Sequence, residues 1–274
     1  MATDLLKQFV DDVFEIDLFI QCSLEGFGYA TVAPLVTEKI RSIAKKNGVD
    51  HPLKNDATYE KRREHYKKLE EFSKIEEDQG HPYLFSLACV KLWSILEAAV
   101  DFMLLELLKD NERASKSVRI GKIRGPLLSF LQASDAQKIE YLKEALLQEL
   151  GSDLKVGLGK FEAPLGELGF SGDVSEPIRR TLLELNEVRN LVVHKAGVVD
   201  RRFKERCPWV PLSEGQKFRV TYHNYRNYRT ASLWYLIELD QRYEQQYGEE
   251  KQRYPQVINF LHELEESLSN TQNG

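Results

Sequence analysis

Tyr83–Leu108 reads YLFSLACVKLWSILEAAVDFMLLELL, apolar on nearly every side at helical spacing. A helix of that kind lies among neighbours rather than on a surface. Lys91, Glu97, Asp101 and Glu106 interrupt it, so it falls short of a membrane span. The stretch therefore predicts the central helix of an all-α core, entered after the break at Gly80-His81-Pro82.

The segments on either side repeat the helical period. Upstream, Leu5, Leu6, Phe9, Val10, Val13, Phe14 and Ile16 trace an apolar stripe on an acidic helix that Gly26 and Gly28 are expected to end. A short helix over Val32–Lys46, a turn through HPLKNDAT and a solvated, charge-interleaved helix over Tyr59–Asp78 follow. Downstream, Pro126–Leu150 is amphipathic and closes at Gly151. Gly151–Gly172 holds six of the sixteen glycines and reads as a long loop with one helical turn. Ser175 suits an N-cap ahead of Glu176 and Pro177, for a helix that stops at Gly197. Cys207–Pro211 is a rigid connector, and KFRVTY at Lys217–Tyr222 alternates like a short strand or hairpin. A tyrosine-rich helix over Asn224–Tyr247 and a last one over Tyr254–Leu268 complete the chain. The division expected is an N-terminal helical extension over 1–80, a main domain over 81–250, and a helix and tail over 251–274.

Composition excludes several classes of function. Cys22, Cys89 and Cys207 lie far apart with no paired spacing, which argues against a disulfide framework or zinc site and for reduced thiols in the cytoplasm. The first eighteen residues carry five acids and one lysine, wrong for an export signal. The net charge of -5 is uneven: Arg179–Arg229 holds twelve Lys/Arg against five Asp/Glu, a local +7 that leaves the rest at -12. Such a basic third suggests a surface that faces a polyanion. Gly157-Leu-Gly159-Lys160 is followed by Phe161 where a phosphate loop needs a hydroxyl, and the scattered histidines have no metal-ligand spacing.

The chemistry concentrates at Glu184–Arg202, ELNEVRNLVVHKAGVVDRR. Ile178, Leu182, Leu185 and Val192 form one helical stripe, and Arg189 falls in its middle. A guanidinium buried there must meet an anion, because an unpaired one costs several kcal/mol. Glu97 and Asp101 on the central helix are the protein candidates; a substrate phosphate is the other. Asn190 and His194 share a helix face one turn apart, whereas Arg189 lies about 140° from His194. The spacing alone does not force the three side chains together.

The run Arg189-Asn190-Leu-Val-Val-His194, its continuation Lys195-Ala-Gly197-Val-Val-Asp200, and the upstream LWSILEAAVDFMLLELL with its acid at Glu97 resemble the HEPN superfamily, in particular its RiboL-PSP-like bacterial members. The resemblance covers roughly Tyr83–Tyr247 and leaves out residues 1–80. It implies a HEPN-like helical bundle that forms homodimers, bringing two Arg/His motifs to one cleft. It also implies a metal-independent, cofactor-free endoribonuclease, a toxin or effector of bacterial antiphage defence. Members that have lost catalysis serve instead to dimerise and to bind nucleic acid, nucleotide or protein. Carried over, His194 is the proton-transfer residue, Arg189 stabilises the transition state, Asn190 orients both, and Glu97, with Asp101 one turn on, supports them. An antitoxin or defence-system protein is a further expected partner.

These side chains fit the reaction. Cleaving RNA without a metal moves a proton off the ribose 2′-OH and another onto the leaving 5′-oxygen, while charge grows on the phosphate. Histidine suits the first task and the planar donor fork of arginine the last, leaving 2′,3′-cyclic phosphate and 5′-hydroxyl ends. Arg179, Arg180, Lys195, Arg201, Arg202, Lys204 and Arg206 are placed to track an RNA backbone. Tyr222, Tyr225 and Tyr228, interleaved with Arg226 and Arg229, have the composition of a base-stacking platform, or else pack the last long helix against the body. His223 is a second-choice catalytic histidine.

Overall fold

The computed structural model describes residues 2–49, 55–124, 127–151, 156–248 and 255–272. Among them the secondary structure is helical, with eleven α-helices and one 3-10 turn. The only β-pairing among the described residues is a single bridge, Val198 to Lys217. The expected strand or hairpin at 217–222 does not form. Lys217 and Phe218 lie against Gly197–Val199 through Phe218 N–H to Gly197 O (2.8 Å) and Val199 N–H to Gln216 O (2.8 Å). Thr221 then caps the next helix, its side chain accepting from Asn224 N–H. Alternation without a long partner strand yields a clip.

The chain divides into two compact units. The first comprises Met1–Phe14, Cys89–Phe218 and Arg226–Gly274; the second comprises Glu15–Ala88 and Arg219–Tyr225.

The expected central helix is α3 (Pro82–Leu108), which belongs to the first unit from Cys89 onward; there Leu92, Trp93, Leu96, Ala99, Met103 and Leu107 are fully buried. Its Trp93 stacks on Phe161 (5.0 Å), which stacks in turn on Tyr235 (6.0 Å) of α10 (Tyr222–Tyr247). Phe161 belongs to α7 (Gly159–Glu167), a helix with Pro164 inside it, where glycine content predicts mostly loop. Two aromatic neighbours on one ring outweigh the glycine penalty of roughly 1 kcal/mol per position. Glu162 of the same helix accepts from Tyr235 (2.7 Å) and from the buried Arg242 (2.9 Å), whose Nε donates to Glu238. Gly172 lies so close to Arg242 that a Cβ would come within 2.2 Å of Nε. The helix expected over 126–150 is two, α5 (Leu127–Gln132) and α6 (Asp135–Leu150), because Ser134 and Gln137 form a reciprocal capping box that starts a new one. Between α3 and these lie α4 (Asn111–Lys116) and the 3-10 turn Ile120–Lys122.

In the second unit, Ile16, Ile20, Thr37 and Ala44 of α1 (Ala2–Asn47) are buried. Arg41 of α1 lies 3.7 Å over the Tyr59 ring and pairs with Asp56, at the two ends of the turn into α2 (Asp56–Asp78). Phe27 meets Phe72 at 6.0 Å. Tyr222 and Tyr225 flank Phe85, and the Tyr225 hydroxyl donates to Asp17 (2.7 Å).

Gly26 and Gly28 do not end α1, which continues through both and through Pro34. A methyl group at either glycine would meet nothing within 4 Å. Replacing both with alanine is therefore expected to stabilise the protein by about 1–2 kcal/mol, read as a higher urea midpoint at unchanged slope; a lower midpoint would refute the unbroken helix.

Asp240 on α10 gives a pH-dependent counterpart. One carboxylate oxygen is buried without a hydrogen-bond partner; burial, then repulsion from Glu244, pushes the acid up to about 6 against a weaker pull from Lys7. A carboxyl raised in the folded state makes the fold bind more protons than the unfolded chain, so stability falls as pH rises from about 4 to about 6. Asp240→Asn should raise the melting temperature at pH 7.5 and leave it nearly unchanged near pH 4, measured calorimetrically.

Candidate functional site

The motif helix is α8 (Glu176–Lys195). Ser175 occupies the N-cap position and Pro177 the first turn, as expected, but the serine hydroxyl makes no capping hydrogen bond and is buried without a partner. At the other end Ala196 adopts a left-handed φ of 49° and Gly197 one of 80°. Gly197 N–H closes the turn on Leu191 O (2.9 Å).

Burial along α8 follows Ile178, Leu182, Leu185, Val188 and Leu191. That corrects the stripe expected through Val192: Val192 and Arg189 lie half-buried at its border, and the Arg189 side chain is 29% exposed. Its Nη2 stands 4.0 Å from Glu97 Oε2, and its Nη1 donates to Asn190 Oδ1 (3.2 Å). Glu97 is itself held by Trp93, whose indole N–H donates to Oε1 (2.8 Å). An exposed ion pair at such distance contributes about 0–1 kcal/mol, so the guanidinium keeps most of its capacity for another anion. Asp101 does not reach it: Lys143 takes that carboxylate at 2.8 Å. Burial disfavours the Lys143 ammonium, yet its hydrogen bonds to Asp101 and Glu140 win and hold it above the usual lysine range.

His194 is exposed one turn beyond Asn190. Between His194 and Arg189 there is no hydrogen bond among the described residues, in keeping with their angular separation. Exposed on the same end of the helix are Val193 and Lys195.

The most buried charge on the helix is Glu187, 3% exposed, which sequence reasoning passed over. It accepts from Arg206 Nη1 (2.7 Å) and Asn186 Nδ2 (3.2 Å), with Arg202 Nε at 3.6 Å. Glu184, one turn earlier, accepts from the Tyr228 hydroxyl (2.6 Å) on α10 and from the indole of Trp209. The apolar stripe gave no signal for Glu187: it lies about 140–160° around the helix from Leu182 and Leu185, and its burial comes from the segment packed over that other side, which carries Arg202 and Arg206.

Several residues expected to bind RNA are thereby committed to the fold. Arg206 serves Glu187. Arg180 lies 4.6 Å over Trp209, Arg179 donates to Val174 O (2.7 Å), and Lys204 to Val210 O (2.8 Å). Arg229 lies over Phe14 at 5.1 Å. Tyr228 is 1% exposed and Tyr225 2%; with their hydroxyls engaged, neither ring is open to a base, which corrects the stacking-platform reading for both. Burial, then the Glu184 carboxylate, drives the Tyr228 hydroxyl well above its usual range. Lys195, Arg201, Arg202, Arg226 and Tyr222 remain exposed, as does His223; Tyr222, His223 and Tyr225 belong to the second unit. Arg201 pairs with Glu205 on α9 (Arg201–Arg206) at 2.7 Å.

Cys89 and Cys207 are buried, and burial, then Glu184, pushes both thiols far up. Among the described residues no helix is long and apolar enough to cross a membrane, and no cluster of three or more His, Cys, Asp and Glu is arranged to hold a metal ion. Comparison with family models, curated proteins and solved structures finds no match to this chain.

Removing the Glu187 carboxylate tests the scaffold. Its arginine partners are 29% and 57% exposed and can rehydrate, so Glu187→Ala is expected to cost about 2 kcal/mol, below the 3–5 of a fully buried pair. Faster amide exchange over 198–210 should accompany the loss; unchanged exchange there would show that the pair does not hold the segment.

Proposed function

We propose that the chain is a HEPN-type endoribonuclease that cuts RNA without a metal ion and acts as a homodimer. One observation carries the reading: Arg189 is half-open, braced by Asn190 and only loosely met by Glu97, on the helix whose exposed end presents His194. Phosphate can displace or share so weak a counter-ion. In the reaction the ribose 2′-oxygen bonds to phosphorus as the bond to the 5′-oxygen breaks. One imidazole takes the 2′ proton and another supplies the proton to the leaving oxygen. With one such histidine per motif, the acid and base come from His194 of two chains. Arg189 holds the phosphate oxygens as charge grows on them, and the exposed Lys195 and Arg226 guide the strand.

The Trp93–Glu97–Arg189 chain favours a second reading, a non-catalytic HEPN module in which the carboxylate satisfies the arginine and the basic surface only binds. Product chemistry separates the two. With mixed RNA in EDTA, the wild type should leave 2′,3′-cyclic phosphate and 5′-hydroxyl ends, and His194→Ala and Arg189→Ala should each lower the rate at least a hundredfold while keeping their helical signal. Equal RNA loss in all three preparations would mean contamination and would remove the enzyme from consideration, leaving the binding module.

A further inference from the structure

Helix α1 is apolar on two faces, and the second unit covers one of them. Leu18, Cys22, Tyr29, Val32, Val36 and Ile43 recur at alternating three- and four-residue steps, apart from the longer intervals at Glu25 and Lys39, and all six are exposed, Leu18 by 61% and Tyr29 by 73%. From Leu18 to Ile43 the stripe is about 38 Å long and spans nearly four heptads, the length at which a helical seam sustains a coiled coil.

From the seam and its charges we infer that it is an interface for a second copy of this chain, in which two α1 helices pair antiparallel across a two-fold axis near the Ala30–Thr31 bond. Residues 15–28 carry three acids and no base, and residues 29–47 four bases and one acid. Glu15, Glu25, Lys39 and Lys46 make no ion pair among the described residues within their own chain. A parallel pair would set Glu25 beside Glu25 and Lys39 beside Lys39. The antiparallel pair sets Tyr29 on Val32, Leu18 on Ile43, Cys22 on Lys39 and Glu15 on Lys46, each contact repeated by symmetry, with Glu25 against Val36 and one turn from Lys39. Over 15–47 four acids balance four bases, so the stripe has no net attraction to an anionic bilayer, while its reversal of charge from one half to the other matches a second copy laid antiparallel. This interface lies on residues distinct from Arg189 and His194, and its test does not depend on catalysis.

Native Cys22 supplies the test of register. Lys39→Cys, treated with diamide, should form a covalent dimer through Cys22 and the partner's new thiol, reversed by dithiothreitol, whereas Ser42→Cys, exposed on α1 but off the seam, should not. Adding Val36→Asp to the Lys39→Cys protein should abolish the trapping and halve the mass in solution at unchanged circular dichroism. Trapping equal at both positions, no trapping at either, or a mass unaffected by Val36→Asp would overturn the interface. So would a monomeric wild type that instead floats with vesicles of neutral or anionic phospholipid.

Discussion

Two carboxylates on α8 hold together the part of the molecule that carries the motif. Glu187 is buried and Glu184 half-buried, where a lone charge would be costly. Both draw on the segment that follows the motif: Glu184 on Trp209, together with Tyr228 of α10, and Glu187 on Arg206 and Arg202, together with Asn186. The basic segment after the motif is thus tied down by the charges that made it conspicuous in sequence. Of the seven cations expected to track an RNA backbone, Arg202 and Arg206 prove to be the counter-charge of the buried Glu187 and Arg180 the cover of Trp209.

That changes how Arg189 is understood. Its neighbour two positions earlier, Glu187, is fully buried and fully paired, whereas Arg189 stands at the border of the buried stripe with one carboxylate at the limit of an ion pair. Charge kept inside the helix packing serves the scaffold; charge at the border keeps a partial vacancy. The same distinction separates Lys143, locked between Asp101 and Glu140, from Lys195 at the open end of the motif helix.

Much of the architecture was legible because apolar periodicity reports burial directly. Tyr83–Leu108 could only be an enclosed helix, and Ser175 and Gly197 bound α8 where cap and stop signals stand. Local propensity misled where neighbours overrode it. Gly26 and Gly28 are weak breakers inside a long run of helix formers, and Phe161 pulls a glycine-rich stretch into a helix by filling the space between Trp93 and Tyr235. KFRVTY alternates but meets only three residues of backbone. Tyr225 and Tyr228 could not be told from base-stacking rings, since both uses want an amphipathic aromatic; the acids that claim their hydroxyls, Asp17 and Glu184, lie 208 and 44 positions away. Arg189, Asn190 and His194 were found by pattern, whereas Glu187 needed a buried face to be recognised.

The compact unit around the motif draws on Met1–Phe14 as well as Arg226–Gly274. Its Phe9 meets Phe102, and Phe14 lies under Arg229. During translation the first of these segments leaves the ribosome long before the second is made, and α8 lacks its Tyr228 anchor until α10 has followed. Assembly of the Arg189–His194 helix into its packed setting is therefore a late event in synthesis, and a nascent chain stalled before residue 228 carries the motif without the scaffold that positions it.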